Sequence, residues 1–407
     1  MKTKLWRRVR PRLQFAAAHV DGFCAWLRSK GYTERSVRNL IGLLATWTDW
    51  ISRRRFDIRS INGALIDSQL HIKHCNSRRL PPEITVASVG AGRLFAKYLW
   101  DRGILAPEPT TAGPEEKWPR LRQFRAWMRQ HRGVTESTLD LWQRHIVRLL
   151  ETLGTDSTAY TATAIRDFVL ERASTGGRAR ARIIAGAVRA FLRFLVSIGE
   201  CATGREHAVP TFAQWRLASI PQHLSAEEVS RVLEGSRGRG NARDRAILLL
   251  LLRLGLRSGD VAKLRLGDVD WRNARIAISG KERRALWLPL TQEIGDALLT
   301  YLRTGRPARG GQSLFITSVA PYRPITRTTV KCVVQRALAR ANVNTPSKGA
   351  HVLRHTAAAA MLANGVSLPA ISAVLRHRSP DTTMLYAKVN LSGLAAIAQP
   401  WVGRLPC

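Results

Sequence analysis

The sequence predicts a mainly α-helical chain with one small β-sheet in its last third, an α+β arrangement. Three observations carry this. Apolar residues recur at helical spacing through long segments on both sides of residue 110. Two short strand-like runs, "ARIAIS" (274–279) and "ALWLPL" (285–290), flank the turn "GKERR" and predict a hairpin with Lys281 near its tip. From residue 325 onward the pattern is helical again.

The helical elements come in an order that repeats. "AWLRSKGYTERSVRNLIGLLATWTDWI" (25–51) resembles "AWMRQHRGVTESTLDLWQRHIVRLLETL" (126–153). Each has an Ala-Trp helix, a Gly-containing turn, a Thr-Glu able to cap, and a long amphipathic helix. Val37, Leu40, Ile41, Leu44, Trp47 and Ile51 follow helical spacing, as do Leu139, Trp142, Ile146, Leu149, Leu150 and Leu153. Each unit then closes on a similar helix. "RLFAKYLWDRGIL" (93–105) aligns with "RAFLRFLVSIGEC" (189–201), matching Phe95, Tyr98, Leu99 and Gly103 to Phe191, Phe194, Leu195 and Gly199. Two tandem helical modules, a duplication, are expected.

Linkers set the boundaries. "APEPTTAGPEEKWP" (106–119) is rich in Pro, Thr and Gly. "VPTFAQWRLASIPQHLSAEEV" (209–229) carries two prolines and ends on a helix start, where Ser225 caps ahead of Glu228. Three domains follow: 1–110 and 111–215, both helical, and 216–407. In the last, "RDRAILLLLLRLGLRSGDVAKLRLGDVDW" reads as a buried helix, a Gly turn and a second helix. The Gly/Arg run "GSRGRGNARDR" (235–245) reads as a flexible basic loop, lacking the Lys-Ser/Thr of a phosphate-binding loop.

Composition narrows the partner. The chain has 65 Lys+Arg against 29 Asp+Glu, a net charge of +36. The excess is +12 over residues 1–110, +6 over 111–215 and +18 over 216–407, so no single tail carries it. A distributed positive field points to a long polyanion, and nucleic acid is the usual one. Cys24, Cys75, Cys201, Cys332 and Cys407 are odd in number and form no Cys-x-x-Cys pair, which fits a reducing cytoplasm. The basic N-terminus lacks the apolar segment of a signal peptide. The longest apolar run, "AILLLLLRLGL" (246–256), is too short to span a bilayer, so a soluble protein without a membrane partner is expected.

One stretch holds the chemistry: "HVLRHTAAAAMLANGVSLPAISAVLRHRSPDTTMLYAKV" (351–389). His351 and Arg354 sit three apart, on one helical face. His377 and Tyr386 follow. Arginines and imidazoles converging on a tyrosine hydroxyl point to phosphate chemistry, because Arg offers a bidentate fork to phosphoryl oxygens.

Residues 224–390 resemble the catalytic domain of tyrosine recombinases, the phage-integrase and Xer-like family. "GLRSGDVAKLRLGDVDW" is similar to the family's first arginine motif and "ISGKERRALWLPL" to its lysine hairpin. "HVLRHTAAAAML" is similar to its His-x-x-Arg box and "LRHRSPDTTMLYAKV" to its final histidine and tyrosine. The resemblance implies Arg257, Lys281, His351, Arg354, His377 and Tyr386 as the catalytic set. Two departures stand out. The hairpin lacks the usual second glycine and lysine, which leaves Arg283 or Arg284 able to share the role of Lys281. Arg376 replaces the more common glycine before the last histidine.

The resemblance further implies a site-specific DNA recombinase with a 3′-phosphotyrosyl intermediate, using no cofactor, metal or ATP. Arg257 and Arg354 would clamp the non-bridging oxygens. Tyr386 would be the nucleophile, His351 the base or proton relay, His377 a phosphate donor, and Lys281 the acid for the 5′-oxygen. Asp260 supports the helix or orients an arginine. Residues 111–215 take the place of the core-binding domain. The SAM-like module 1–110 is an extra copy for arm-type DNA or for protein contacts, with Trp26, Trp47, Trp50 and Trp100 expected in its core. The expected partners are double-stranded DNA and a tetramer, homomeric or mixed, on a Holliday junction. The tail, 390–407, packs on its own domain or docks on a neighbouring subunit. Residue by residue, blander readings stay open: Arg257 as a helix-end charge, His351 with His355 as a metal pair, Tyr386 as a core aromatic, His377 as a cap. For the whole chain, the alternatives are a catalytically idle DNA-binding relative and a type IB topoisomerase.

Overall fold

The computed structural model describes residues 10–53, 85–105, 113–213, 221–279, 285–308, 311–346, 349–377 and 381–386. Among these the chain is mainly helical, with one three-stranded antiparallel sheet. It divides into two compact units: residues 106–216 form one, and 1–105 together with 217–407 form the other.

The duplication is visible in the packing. In the first copy, α1 (Val20–Ser29), α2 (Glu34–Arg53) and α3 (Val86–Asp101) enclose one apolar core. In the second, α4 (Pro119–Arg132), α5 (Glu136–Leu153), α6 (Ala162–Ser174) and α7 (Arg178–Ser197) enclose another. Phe23 meets Phe95 edge-on at 5.3 Å between ring centroids, and Phe124 meets Phe191 edge-on at 5.5 Å. Phe23 lies 5.6 Å from Tyr98, and Phe124 lies 5.8 Å from Phe194. Trp26 touches Tyr98 at 6.1 Å, and Trp127 touches Phe194 at 5.9 Å. Edge-on aromatic contacts reflect the ring quadrupole, and repeating the same set requires both helix pairs to cross alike. Gly103 and Gly199, aligned by sequence, both take positive φ where their helices stop.

The tryptophans divide. Trp47 and Trp50 are buried, whereas Trp26 and Trp100 are half-buried against the same core. The two Thr-Glu starts also differ. Thr33 Oγ1 accepts the Ser36 N–H at 3.3 Å, but the Thr135 side chain bonds the hydroxyls of Ser137 and Thr138 and leaves α5 without a side-chain cap. Adjacent hydroxyls outcompete the backbone there. Within its unit, the Gly31 turn packs on the ring of Tyr322.

The third core gathers around α9 (Ala242–Arg253), whose residues 246–252 are buried on every side. It follows α8 (Ala226–Glu234), which starts on the expected Ser225–Glu228 capping box. The basic run 235–245 is not a loop throughout, because α9 begins at Ala242. Arg243 donates to Asp244 and to the Ile316 carbonyl, and Arg245 donates to the Leu233 carbonyl at 2.8 Å. The Leu233 and Ile316 carbonyls lie outside the run, so local composition does not reveal them.

After α10 (Ser258–Lys263) come β1 (Val269–Asp270), β2 (Arg275–Ser279) and β3 (Ala285–Pro289). Ile276 pairs with Leu288 and Ala277 with Trp287. Ile276, Ile278 and Leu288 face the core while Trp287 faces out, the alternation of a one-sided sheet, and Leu286, on the face of Leu288, is left partly exposed. Arg275 lies 4.2 Å over the Trp287 ring. The connecting turn, with Lys281, Arg283 and Arg284, lies outside the described residues. The final elements are α11 (Gln292–Thr300), α12 (Arg327–Arg340), α13 (Ala350–Ala363), α14 (Leu368–Leu375) and α15 (Asp381–Met384). Among the described residues, no helix is long and apolar enough to cross a membrane.

Candidate active site

Three chain segments meet where buried α9 ends. Gly255 takes φ +59°, the left-handed conformation that glycine adopts without strain, and turns the chain into α10. That turn puts Arg257 just before α10, where Asp260 Oδ2 accepts its N–H at 3.3 Å. The second segment is α13, which carries His351, Arg354 and His355. The third is the end of α14, where Arg376 adopts φ +55° and delivers His377, followed by α15 and Tyr386.

Arg354 is 5% exposed. Its Nη1 donates to the Gly255 carbonyl at 2.5 Å and its Nη2 to the Leu375 carbonyl, so it ties the other two segments together. Arg257 Nη2 donates to the Arg376 carbonyl at 2.6 Å. The Arg376 side chain pairs with Asp260. Asp260 therefore does what the sequence proposed for it, orienting an arginine as well as starting α10. Among the described residues, the buried Arg376 Nε has no hydrogen-bond partner.

Two guanidiniums thus crowd one spot. Burial and the Arg257 charge bring the Arg354 pKa down to about 10, from its usual place above 12. An anion beside both guanidiniums would relieve their mutual repulsion.

Tyr386 is 2% exposed and packs with Ala358, Ile371 and Leu375. Burial raises its pKa, although Arg354 pulls the other way. Its hydroxyl lies 2.7 Å from His355 Nδ1. The His377 ring stacks nearly parallel to Tyr386, with centroids 6.2 Å apart, and its Nδ1 lies 2.7 Å from Thr383 Oγ1. Burial and then Arg354 and Arg257 push the His377 pKa down to about 4, so it is neutral near pH 7. His351 is exposed, and its ring lies 6.5 Å from that of His355. Its pKa is also lowered, by partial desolvation of its ring against α13 and by the Arg354 and Arg257 charges.

Of the six residues expected from sequence, five converge here: Arg257, His351, Arg354, His377 and Tyr386. Lys281 lies outside the described residues. His355 was considered only as a metal partner of His351, and its spacing of four from that residue was the available signal. Nothing local points from His355 to a tyrosine 31 residues on. Arg376, which stands where glycine is more common, turns its side chain to Asp260 and its carbonyl to Arg257.

The profile of the phage integrase family matches residues 222–392. A putative integrase/recombinase of Sinorhizobium fredii is 32% identical over 400 residues, covering 95% of this chain and 95% of that protein. The chain belongs to the phage integrase family, the tyrosine-type site-specific DNA recombinases. The tyrosine recombinase XerC of Lacticaseibacillus casei is 27% identical over 309 residues, covering 74% of this chain and 94% of that one. Among solved structures, XerH recombinase in a post-cleavage complex with its difH substrate matches with a TM-score of 0.55 at 19% identity. It covers 69% of this chain and 84% of that one. A lambda integrase dimer on a core site matches with a TM-score of 0.54 at 16% identity, covering 66% of this chain and 94% of that one. At these identities the structural likeness is one of fold.

The Gly255 turn gives this recombinase a testable weak point. A Cβ there would sit 2.4 Å from Leu375 Cδ2, on a backbone that side chains avoid. Gly255→Ala is expected to destabilise the protein by about 1–3 kcal/mol, the usual cost of left-handed strain. Because the Gly255 carbonyl holds Arg354, cleavage falls with it. Thermal denaturation beside a cleavage assay checks both.

Proposed function

We propose that this recombinase cuts and rejoins DNA through a 3′-phosphotyrosyl link at Tyr386, without metal or ATP. The observation that carries the reading is Arg354, which is buried, bonds the carbonyls of Gly255 and Leu375 close to Arg257 and His377, and acts by its charge on the Tyr386 hydroxyl. A phosphodiester attacked by a hydroxyl gains charge on its non-bridging oxygens, which preorganised guanidiniums stabilise. His377 hydrogen-bonds the phosphate, His351 relays protons, and Lys281 protonates the leaving 5′-oxygen. Relatives named integrase/recombinase and tyrosine recombinase, along 95% and 74% of the chain, support recombination over an idle accessory or a topoisomerase.

The net charge of +36 supports double-stranded DNA as partner. We assign residues 111–215 to core-site binding and 1–110 to an added DNA-binding module, with 216–407 catalytic. Lambda integrase has been captured as a tetramer on a Holliday junction. We place this chain in an assembly of the same kind, homomeric or mixed, in the cytoplasm and on the nucleoid when DNA-bound.

The deciding experiment incubates the protein with its own flanking DNA carrying nicked suicide sites, with and without EDTA, and maps the covalent adduct. An adduct at Tyr386 that survives EDTA sustains the reading, and cleavage that depends on a metal overturns it. The tail, outside the described residues, supplies a second test. "NLSGLAAIAQPWVGRLPC" (390–407) has a short apolar pattern that is marginal alone in water and needs a surface to bury against. Truncation after Val389 is expected to weaken synapsis while single-site binding and the thermal melt persist. A truncated protein that recombines normally rules out an assembly role, and one that fails to fold favours packing in cis.

A further inference from the structure

We infer that His355 is a further catalytic residue of this recombinase, the group that takes the proton from Tyr386. The inference rests on Tyr386 being the nucleophile, as proposed above.

The geometry separates the three histidines. Only His355 puts a ring nitrogen on the Tyr386 hydroxyl, at 2.7 Å. His377 lies parallel to the tyrosine ring, and its Nδ1 is engaged by Thr383. His351, the base expected from sequence, lies one turn before His355 on α13 and is exposed.

The direction of the bond follows from burial. Among the described residues, the Tyr386 hydroxyl has no other hydrogen-bond partner. A buried O–H left without an acceptor is costly, so Nδ1 accepts and the phenol donates. Neutral imidazole meets this requirement. His355 is kept neutral by burial and by the groups facing it: His351 and Arg354 from its own helix and His223 from the segment before α8.

The atoms balance simply. The phenolic O–H bond breaks, its proton goes to His355 Nδ1, and the phenolate oxygen bonds to phosphorus. The bond from phosphorus to the 5′-oxygen breaks, and that oxygen takes a proton from the acid on the other side. Reversal returns the His355 proton to the tyrosine oxygen.

This pairing also ties the nucleophile to substrate. Without DNA, burial, the neighbouring His351 and the Arg354 charge oppose an imidazolium at 355. A phosphodiester between Arg257 and Arg354 brings a negative charge that offsets the Arg354 charge. The imidazole then becomes basic enough to accept the proton when DNA is in place. In its absence Tyr386 stays protonated and inert.

The test compares wild type, Tyr386→Phe, His355→Gln and His355→Ala on nicked duplexes of the chain's flanking DNA, from pH 6 to 10. Gel shifts and thermal melts run alongside. His355→Gln, which can bond the phenol but not remove its proton, is expected to bind DNA normally and cleave at least about 100-fold more slowly near pH 7. Its rate climbs with pH as hydroxide ionises the tyrosine. Substrate with a 5′-bridging sulfur, which leaves without an acid, does not restore it. Free imidazole restores part of the rate to His355→Ala. Cleavage by His355→Gln within about threefold of wild type overturns the inference, as does rescue by the bridging sulfur, which would move the role to the leaving group. A melt lowered in both variants, with no imidazole rescue, reduces His355 to packing. Wild type that forms no adduct, or Tyr386→Phe that does, overturns the underlying nucleophile assignment instead.

Discussion

Tyr386→Phe is expected to bind DNA as the wild type does and to form no covalent adduct. The substitution removes one oxygen from a side chain that is 2% exposed, and leaves its ring packed on Ala358, Ile371 and Leu375. The lost hydrogen bond to His355 costs roughly 1 kcal/mol of stability, too little to unfold a domain. The whole effect therefore falls on chemistry, because the substitution removes the oxygen proposed to bond to phosphorus. The measurement is protein–DNA adduct surviving denaturant, on nicked duplex, beside a gel shift and a thermal melt. Adducts at the wild-type level in this variant place the nucleophile elsewhere.

The arginines come next in size. Arg257→Ala and Arg354→Ala are each expected to lose about 3–4 kcal/mol of transition-state stabilisation, the range for removing one oxyanion donor. Their side effects differ in a way the structure specifies. Arg257 is half-buried and donates to the Arg376 carbonyl. Arg354 is buried and donates to the carbonyls of Gly255 and Leu375, two segments that it ties together. Truncating it leaves those acceptors without their partner, at about 1–3 kcal/mol each. The melt of Arg354→Ala therefore drops well below that of Arg257→Ala, while both lose cleavage. Lysine at 354 keeps the charge but lacks the fork that reaches both carbonyls, so it is a poor substitute. Normal cleavage by either alanine variant removes that residue from the phosphate clamp.

Much of this was legible in the chain itself. The apolar spacing of 37–51 and 139–153 specified two long helices, and the parallel order of features specified a repeat. The aromatic contacts of Phe23 with Phe95 and of Phe124 with Phe191 are what a repeat demands in three dimensions. The hairpin strands were readable because alternation is local, as was the Ser225 cap. Arg257, His351, Arg354, His377 and Tyr386 were named by type and order, and they meet at one place.

Other features are set by contacts that sequence neighbours do not make. The basic run 235–245 gains helix from Ala242 onward because that turn opens the buried helix 242–253, and Arg243 there reaches the Ile316 carbonyl far along the chain. Arg376 stands where glycine is usual, at φ +55°. It is held there by the tertiary pairs it makes, its side chain with Asp260 and its carbonyl with Arg257.

By itself, the sequence determined the helical class, the repeat, the sign of the partner's charge and the residue types of the site. Each of these rests on periodicity, composition or ordered spacing, properties that a residue shares with neighbours a turn or two away. Only the tertiary structure decided which imidazole meets the Tyr386 hydroxyl. His351 and His355 sit on one helix face with the same chemistry, and no local rule ranks them. The choice falls to His355 because Gly255 lets α13 pack against the end of α14. That packing buries Tyr386 and puts its hydroxyl 2.7 Å from one ring and not the other.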